Sequence, residues 1–411
     1  MSAFRGARTK LSILAESLII HGVYLPPHLA HLPPPSPEAQ AVSARLAALI
    51  RDDIRASGGW VSFARYMELA LYAPGLGYYS AGSRKFGAAG DFITAPELSP
   101  LFGRCLARQV AQLIAQGLPE VLEIGAGSGA LAADLLHELA SCGALPERYL
   151  ILEVSGELRE RQRATLAAQA PGCLERVQWL EVLPPRMNAV VIGNEVLDAI
   201  PTRVVTRRED GLQELGVTAA EGSAFEWSAR PAAGDLLAAA RGIALAEGQK
   251  TEINLAMRGF VASFARLTER GVLLFADYGY PAREYYHPAR SEGTLMCHYR
   301  HHAHGDPFAF VGLQDITAHV DFTAVAHAAV DAGMDVLGYA TQAHFLLNCG
   351  LTDLLSAVSP EDVQAYAPLA SQAQQLLSPT EMGERFKVIA FGKGFAEPLL
   401  GFARGDKTHR L

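Results

Sequence analysis

The stretch Val121–Leu136, VLEIGAGSGALAADLL, decides how this chain folds. An apolar run of Val121, Leu122 and Ile124 carries one acid, Glu123. Three alternating glycines follow, Gly125, Gly127 and Gly129. Beyond them Leu131, Leu135 and Leu139 recur at helical spacing. The pattern reads as strand, tight turn, helix. Glycine permits positive φ and lets a ligand approach the main chain closely. The helix N-terminus adds free N–H groups and a partial positive charge. Together these make a nucleotide-type cofactor site at the carboxyl end of a strand.

The turn alone leaves the cofactor open. GAGSGA matches the dinucleotide fingerprint G-x-G-x-x-A. It equally matches the G-x-G-x-G loop of class I S-adenosyl-L-methionine (SAM) methyltransferases. The segments around it narrow the choice. Tyr149–Val154 reads as the next strand and carries Glu153 at its end, placed to accept hydrogen bonds from ribose hydroxyls. Ala189–Ile192 reads as a buried strand running into GNEVLDAIP, Gly193–Pro201. Asn194, Glu195 and Asp198 follow a buried strand, where polar groups are costly unless paired or exposed at a site. If a helical turn begins at Asn194, Glu195 and Asp198 share a face and hold a guanidinium or ammonium beside a methyl donor; the alternative is acidic capping of a helix N-terminus. A nicotinamide enzyme does not require this element.

Further from the turn, helices are expected at Pro37–Ser57, Ser62–Leu71 and Leu101–Gln116, the last with Ser99 as N-cap and Pro100 at its first position. On the other side come a helix at Glu157–Gln169, a strand at Val177–Leu180 and a hairpin at Arg203–Val217 turning near Asp210-Gly211. Helices at Ala232–Glu247, Ile253–Glu269 and Phe322–Ala332 and strands at Gly271–Asp277, Val336–Tyr339 and Phe386–Phe391 complete the pattern. Such alternation implies an α/β protein with a doubly wound, mainly parallel Rossmann-like sheet. Residues 1–36 are expected as an N-terminal extension with scope for flexibility, 37–117 as a helical N-terminal portion with an active-site loop, and 118–411 as the catalytic domain, with insertions at about 206–262 and 280–320.

Composition excludes several classes. The 411 residues are 50% hydrophobic, enough for a large core, and the net charge of −8 argues against phosphate-driven nucleic-acid binding. No apolar run is long enough to span a bilayer, so no integral membrane protein is expected. Five scattered cysteines without a C-x-x-C pair fit free thiols in a reducing compartment. Arg5, Arg8 and Lys10 before Leu11–Leu25 resemble a targeting segment, but Glu16 and His21 interrupt the run, which favours an ordinary extension. CHYRHHAHGD, Cys297–Asp306, invites a metal reading; without a second cluster at zinc spacing a substrate-covering loop fits better, and no metal is expected. In GLQDITAHVDF, Gly312–Phe322, polar residues alternate: Asp321 or Thr317 suits a helix cap and His319 a site.

Six segments occurring in this order carry a resemblance: YMELALYAPGLGYYS, FGAAGDFITAPELSPLFG, LEIGAGSGALAADLL, GNEVLDAIP, ADYGYP and GLQDITAHVDF. Together they resemble the MidA family of SAM-dependent methyltransferases. That family includes a mitochondrial complex I assembly factor that makes symmetric dimethylarginine on a complex I subunit, and bacterial relatives. The resemblance runs from about Pro37 to the C-terminus. It implies SAM as cofactor and a protein arginine as acceptor, in the cytoplasm for a bacterial protein or in the mitochondrial matrix. Glu123, Gly125, Gly127 and Gly129 would cradle SAM and Glu153 its ribose. Gly90, Asp91, Thr94, Pro96 and Glu97 of the GDFITAPE loop would line the cofactor and substrate mouth. Asn194, Glu195 and Asp198 would flank the methyl group, with Glu97, Asp277 and His319 toward the substrate. One departure is visible: Val196 and Leu197 stand where family members often carry two aromatics. Carboxylates suit guanidinium methylation, since they bind the fork and localise its charge. A small-molecule O- or N-methyltransferase, or an assembly chaperone on the same fold, remains the competing reading.

Overall fold

The computed structural model describes residues 18–20, 23–25, 29, 31–80, 93–219 and 224–411. Its main sheet contains β1 (Glu120–Ile124), β2 (Arg148–Leu152), β3 (Val177–Leu180), β4 (Met187–Asn194), β5 (Thr268–Tyr280), β6 (Asp335–Thr341) and β7 (Phe386–Lys393). The order across the sheet is β6-β7-β5-β4-β1-β2-β3, and the short strand Val320–Asp321 pairs with the end of β5. Neighbours from β3 through β5 are parallel, with Val121 opposite both Tyr149 and Val190. β7 runs antiparallel to both β5 and β6. The sheet is therefore mainly parallel, with one reversed strand, and that reversal carries the first residue of β7 to the edge where the parallel strands end.

Both faces of the sheet are covered, which is why β1, β4 and β5 read as near-continuous apolar runs. Val121, Val190 and Val272 point into a core shared with the helices Pro100–Ala115 and Ala130–Ser141. Leu122, Val191 and Leu273 point the other way, against Leu255–Leu267 and Phe322–Asp331. The long helix before β1 starts as the sequence implies: Ser99 caps it by accepting from the Leu101 N–H, with Pro100 next.

A second layer lies over the ends of the strands. Val61–Ser62, Arg203–Arg208, Gly211–Ala219, Phe225–Pro231 and Lys250–Ile253 form a five-stranded antiparallel sheet. The expected hairpin is present, extended by a third strand at Phe225–Pro231. The alanine-rich stretch expected as a helix over Ala232–Glu247 is helical only at Gly234–Arg241. The helices Pro37–Ala56 and Phe63–Tyr72 share an apolar cluster with this sheet through Leu46, Phe63, Tyr66, Val217 and Phe225. The segment 280–320, aperiodic in sequence, contains a small sheet of Met296–Tyr299, His302–His304 and Asp315–Thr317. Cys297 and Phe308 join the same cluster. The N-terminal helices, the inserted strands and this small sheet thus share one core above the main sheet.

Candidate active site

Between the two layers lies a cleft of about 1310 Å³, bordered by the ends of β1, β2, β4 and β5. Single small-molecule pockets span roughly 300–1,000 Å³, so this one has room for a cofactor together with part of a second substrate.

The glycine turn forms one end. Gly125, Gly127 and Gly129 adopt φ of 68, 52 and 85°, a region that side chains disfavour. A Cβ on Gly125 would lie 2.6 Å from Val196 Cγ1, and one on Gly129 would lie 3.0 Å from Gln162 Cα. Val196, one of the two residues that depart from the family's aromatic pattern, is thus packed against the turn. Glu123 is buried and accepts a 2.6 Å hydrogen bond from Tyr149 Oη. Burial raises its carboxyl to about 7 against that hydrogen bond. Glu153 stands just past β2. Its Oε1 accepts from the Ser155 N–H at 2.8 Å and its Oε2 from Gln162 Nε2 at 3.2 Å, which orients the carboxylate in the cleft wall.

The GNEVLDAIP segment does not form the expected helical turn. β4 ends at Asn194, and Glu195 takes a left-handed conformation with φ 52°. The reversal brings Glu195 and Asp198 to the cleft together. Asp277 enforces it. Its Oδ2 accepts from the Leu197 and Asp198 N–H groups at 2.9 and 3.4 Å, and its Oδ1 from the Tyr278 N–H at 2.9 Å. Asp277 is fully buried and outside the cleft lining, so it positions the turn and does not reach a substrate. Glu195 Oε1 accepts from Asn194 Nδ2 at 3.1 Å and from the Ala95 N–H at 3.3 Å. Asp198 Oδ2 accepts from Tyr278 Oη, while Oδ1 is buried with no donor among the described residues.

These acids are crowded. Burial, then repulsion from Asp198, raises Glu195 to about 8. Burial raises Asp198 to about 6, opposed by its Tyr278 hydrogen bond. Burial and both neighbours push Asp277 far above the carboxylate range. Such clusters hold protons until a cation arrives.

Among the lining residues that the sequence reading did not name as site residues are Tyr72, Tyr79, Tyr278 and Asp315. The Tyr72 and Tyr79 rings stack at 5.5 Å. Tyr79 Oη donates to Asp315 Oδ1 at 2.9 Å, and Tyr72 Oη to the Ala199 carbonyl at 2.9 Å. The signal for Tyr72 and Tyr79 is the tyrosine-rich YAPGLGYYS run; Tyr278 lies in ADYGYP and Asp315 in GLQDITAHVDF. The alternation read in GLQDITAHVDF is present: Asp315, Thr317 and His319 line the cleft, and Asp321 caps the following helix. Thr94 and Pro96 also line it. Glu97 receives a hydrogen bond from Ser128 Oγ, which ties the loop to the glycine turn. Gly90 and Asp91 lie outside the described residues. Among the described residues no group of three or more His, Cys, Asp or Glu could hold a metal, and no helix is long and apolar enough to cross a membrane.

A family model for S-adenosyl-L-methionine-dependent methyltransferases matches residues 101–340. The chain belongs to this family, the MidA methyltransferases. A crystal structure of a superfamily member from Burkholderia thailandensis, bound to S-adenosyl-homocysteine, is 53% identical, with a TM-score of 0.90, covering 92% of this chain and 100% of that one. Among named relatives, the mitochondrial protein arginine methyltransferase NDUFAF7 of Danio rerio is 29% identical over 366 residues, 81% of this chain and 83% of the relative. The Drosophila melanogaster homologue is 28% identical over 412 residues, 90% and 91% of the two chains.

This MidA-family protein is a SAM-dependent methyltransferase, and its residues suit that cofactor. The Gly125 turn has no space for a side chain, the helix Ala130–Ser141 begins directly behind it, and Glu123 and Glu153 end adjacent strands.

Proposed function

We propose that this methyltransferase acts on arginine side chains of a protein, with Glu195 and Asp198 receiving the guanidinium. The observation that carries the reading is the pair of buried carboxylates beside the glycine turn, one oxygen of which, Asp198 Oδ1, is buried without a donor among the described residues. A guanidinium brings five N–H donors in a planar fork, matched to two carboxylates. The stacked rings of Tyr72 and Tyr79 add flat surface against which such a group can lie. The relatives named as protein arginine methyltransferases support the same acceptor.

The bound cofactor supplies a methyl group already activated on a sulfonium. The chain's own residues align and deprotonate the acceptor. Guanidinium is protonated at neutral pH and a poor nucleophile. Asp198, steadied by Tyr278 Oη, fixes one edge of the fork; Glu195, steadied by Asn194 and the Ala95 N–H, faces the nitrogen that attacks. The proton lost as that nitrogen is alkylated passes to a Glu195 oxygen, whose proton affinity is raised by burial and by Asp198. Most of the acceleration comes from holding the nitrogen in line with the methyl group.

Symmetric dimethylarginine on a respiratory complex I subunit is the product and target that the family resemblance implies, in the matrix or, for a bacterial protein, the cytoplasm. The test is to incubate the chain with labelled SAM and cell lysate, then hydrolyse the labelled protein. Label in symmetric dimethylarginine is expected. Label confined to small molecules would favour a small-molecule N-methyltransferase, and SAM binding without any transfer an assembly role.

A further inference from the structure

The wall facing the acceptor acids has the opposite charge. Because β7 is antiparallel, Arg385 and Phe386 reach the cleft edge beside the end of β5, with Phe386 opposite Tyr278 in register. Arg385 is exposed, and its guanidinium has no hydrogen bond or ion pair among the described residues. Arg290 lies over the Tyr280 ring at 3.9 Å, and Lys387 Nζ lies 5.5 Å from the same ring. His319 packs edge-on against Tyr278 at 5.2 Å and tilted against Tyr280 at 5.4 Å. Its Nδ1 is buried without a hydrogen-bond partner among the described residues. The acids around it are engaged: Glu284 and Glu384 pair with Arg410 and Lys407, and Asp321, opposite Tyr280 in register, is buried, caps the helix Phe322–Asp331 and accepts from Tyr286 Oη. Positive charge is therefore in excess at this rim although the whole chain carries −8. Burial first, and then Arg290, Lys387 and Arg385, lower His319 to about 4 and hold it neutral. A neutral imidazole there can donate one hydrogen bond.

We propose that the rim formed by Tyr280, His319 and Arg385 is a carboxylate subsite that selects an acidic group near the acceptor arginine. This rests on the arginine reading above. One ring separates the two charges: Tyr278 donates from its hydroxyl to Asp198, and its edge meets His319 and Phe386. A substrate bridging both must therefore present a cation and an anion about one side-chain length apart. On an extended peptide, with consecutive Cα atoms about 3.8 Å apart, that places the acid roughly one to three residues from the arginine. The same carboxylate could be the α-carboxylate of free arginine, and the experiment separates the two sources. An isolated basic rim would attract any anion. Joined through Tyr278 to an acidic pocket, it instead rewards a charge pair of fixed spacing and penalises a uniformly basic segment.

The test uses the full chain, labelled SAM, and matched arginine peptides carrying Glu, Gln or Lys one to three residues from the arginine, with free arginine as a further arm. At low salt the best Glu peptide is expected to show kcat/KM about tenfold above its Gln counterpart, mainly through KM. Arg385→Gln brings the two peptides to the same level, and Arg385→Glu reverses the preference toward Lys-bearing peptides. Arg385 is exposed, so neither change threatens folding. Free arginine methylated as well as the best peptide would assign the subsite to an α-carboxylate. Equal methylation of Glu and Gln peptides, or discrimination that survives Arg385→Gln, would overturn the subsite alone. If neither peptides nor free arginine are methylated while SAM still binds, the arginine reading falls and the subsite with it.

Discussion

Replacing Glu195 by Gln separates the chemistry of this site from its stability. The amide keeps the shape, and its carbonyl oxygen can still accept from Asn194 Nδ2 and the Ala95 N–H. It removes a proton-binding group. In the unfolded chain a Glu carboxyl titrates near 4.5, and in the fold burial and Asp198 raise it to about 8. Between these values the folded state binds the additional proton. The stabilisation from Glu195 is fully present below pH 4.5 and is lost as pH rises through 8. One proton at about 1.4 kcal/mol per pH unit makes the loss between pH 5.5 and 8.5 about 3 kcal/mol. For a chain of 411 residues this is about 3–4 °C in Tm. Melting the cofactor-free protein and the Glu195→Gln variant across that range should show the wild type losing those degrees relative to the variant. At neutral pH the variant should bind SAM within a few-fold of wild type but methylate arginine about 10²–10³ times more slowly. Parallel melting curves would refute the buried-acid account, and undiminished methylation would refute the role of Glu195.

Three further outcomes are expected. Gly125→Ala places a Cβ 2.6 Å from Val196 Cγ1 at φ 68°, so SAM affinity measured by calorimetry should fall at least about tenfold, with partial recovery in Gly125→Ala/Val196→Ala. Recovery to full affinity would mean that strain at φ is unimportant. Asp277→Ala strips the acceptor from three backbone N–H groups, so about 2–4 kcal/mol of stability should be lost by denaturant titration, and kcat should fall more than SAM affinity. An unchanged kcat would detach Asp277 from the Glu195 turn. Glu153→Gln replaces one carboxylate oxygen by a donor, so SAM affinity should drop about tenfold with little change in peptide KM; an unaffected SAM affinity would argue against a ribose contact.

The cofactor turn was legible in the sequence because each part of it is local. Positive φ at three glycines, an N-terminal helix end and a strand-end acid are properties of residues within a few positions of one another. The same holds for Ser99-Pro100 at the start of the long helix and for Asp321 at the cap of Phe322–Asp331. Local spacing misled at GNEVLDAIP, where a helical turn was expected. A left-handed Glu195 is unfavourable in isolation and persists here through Asp277, 82 residues further on in a neighbouring strand.

By itself, then, the sequence determined a Rossmann-like sheet, the glycine turn and the acids that end its strands. Periodicity and glycine placement are written in short windows, so these features needed no distant partner. Only the tertiary structure decided which acids face the cleft and which merely hold the backbone. It withdrew Asp277 into the turn, brought Tyr72, Tyr79 and Asp315 onto the acceptor wall, and carried Arg385 to the opposite rim on a reversed strand. Those placements depend on strand order and on the packing of one layer over another. No short window of sequence encodes either, because each contact joins residues whose neighbourhood exists only after the chain has closed.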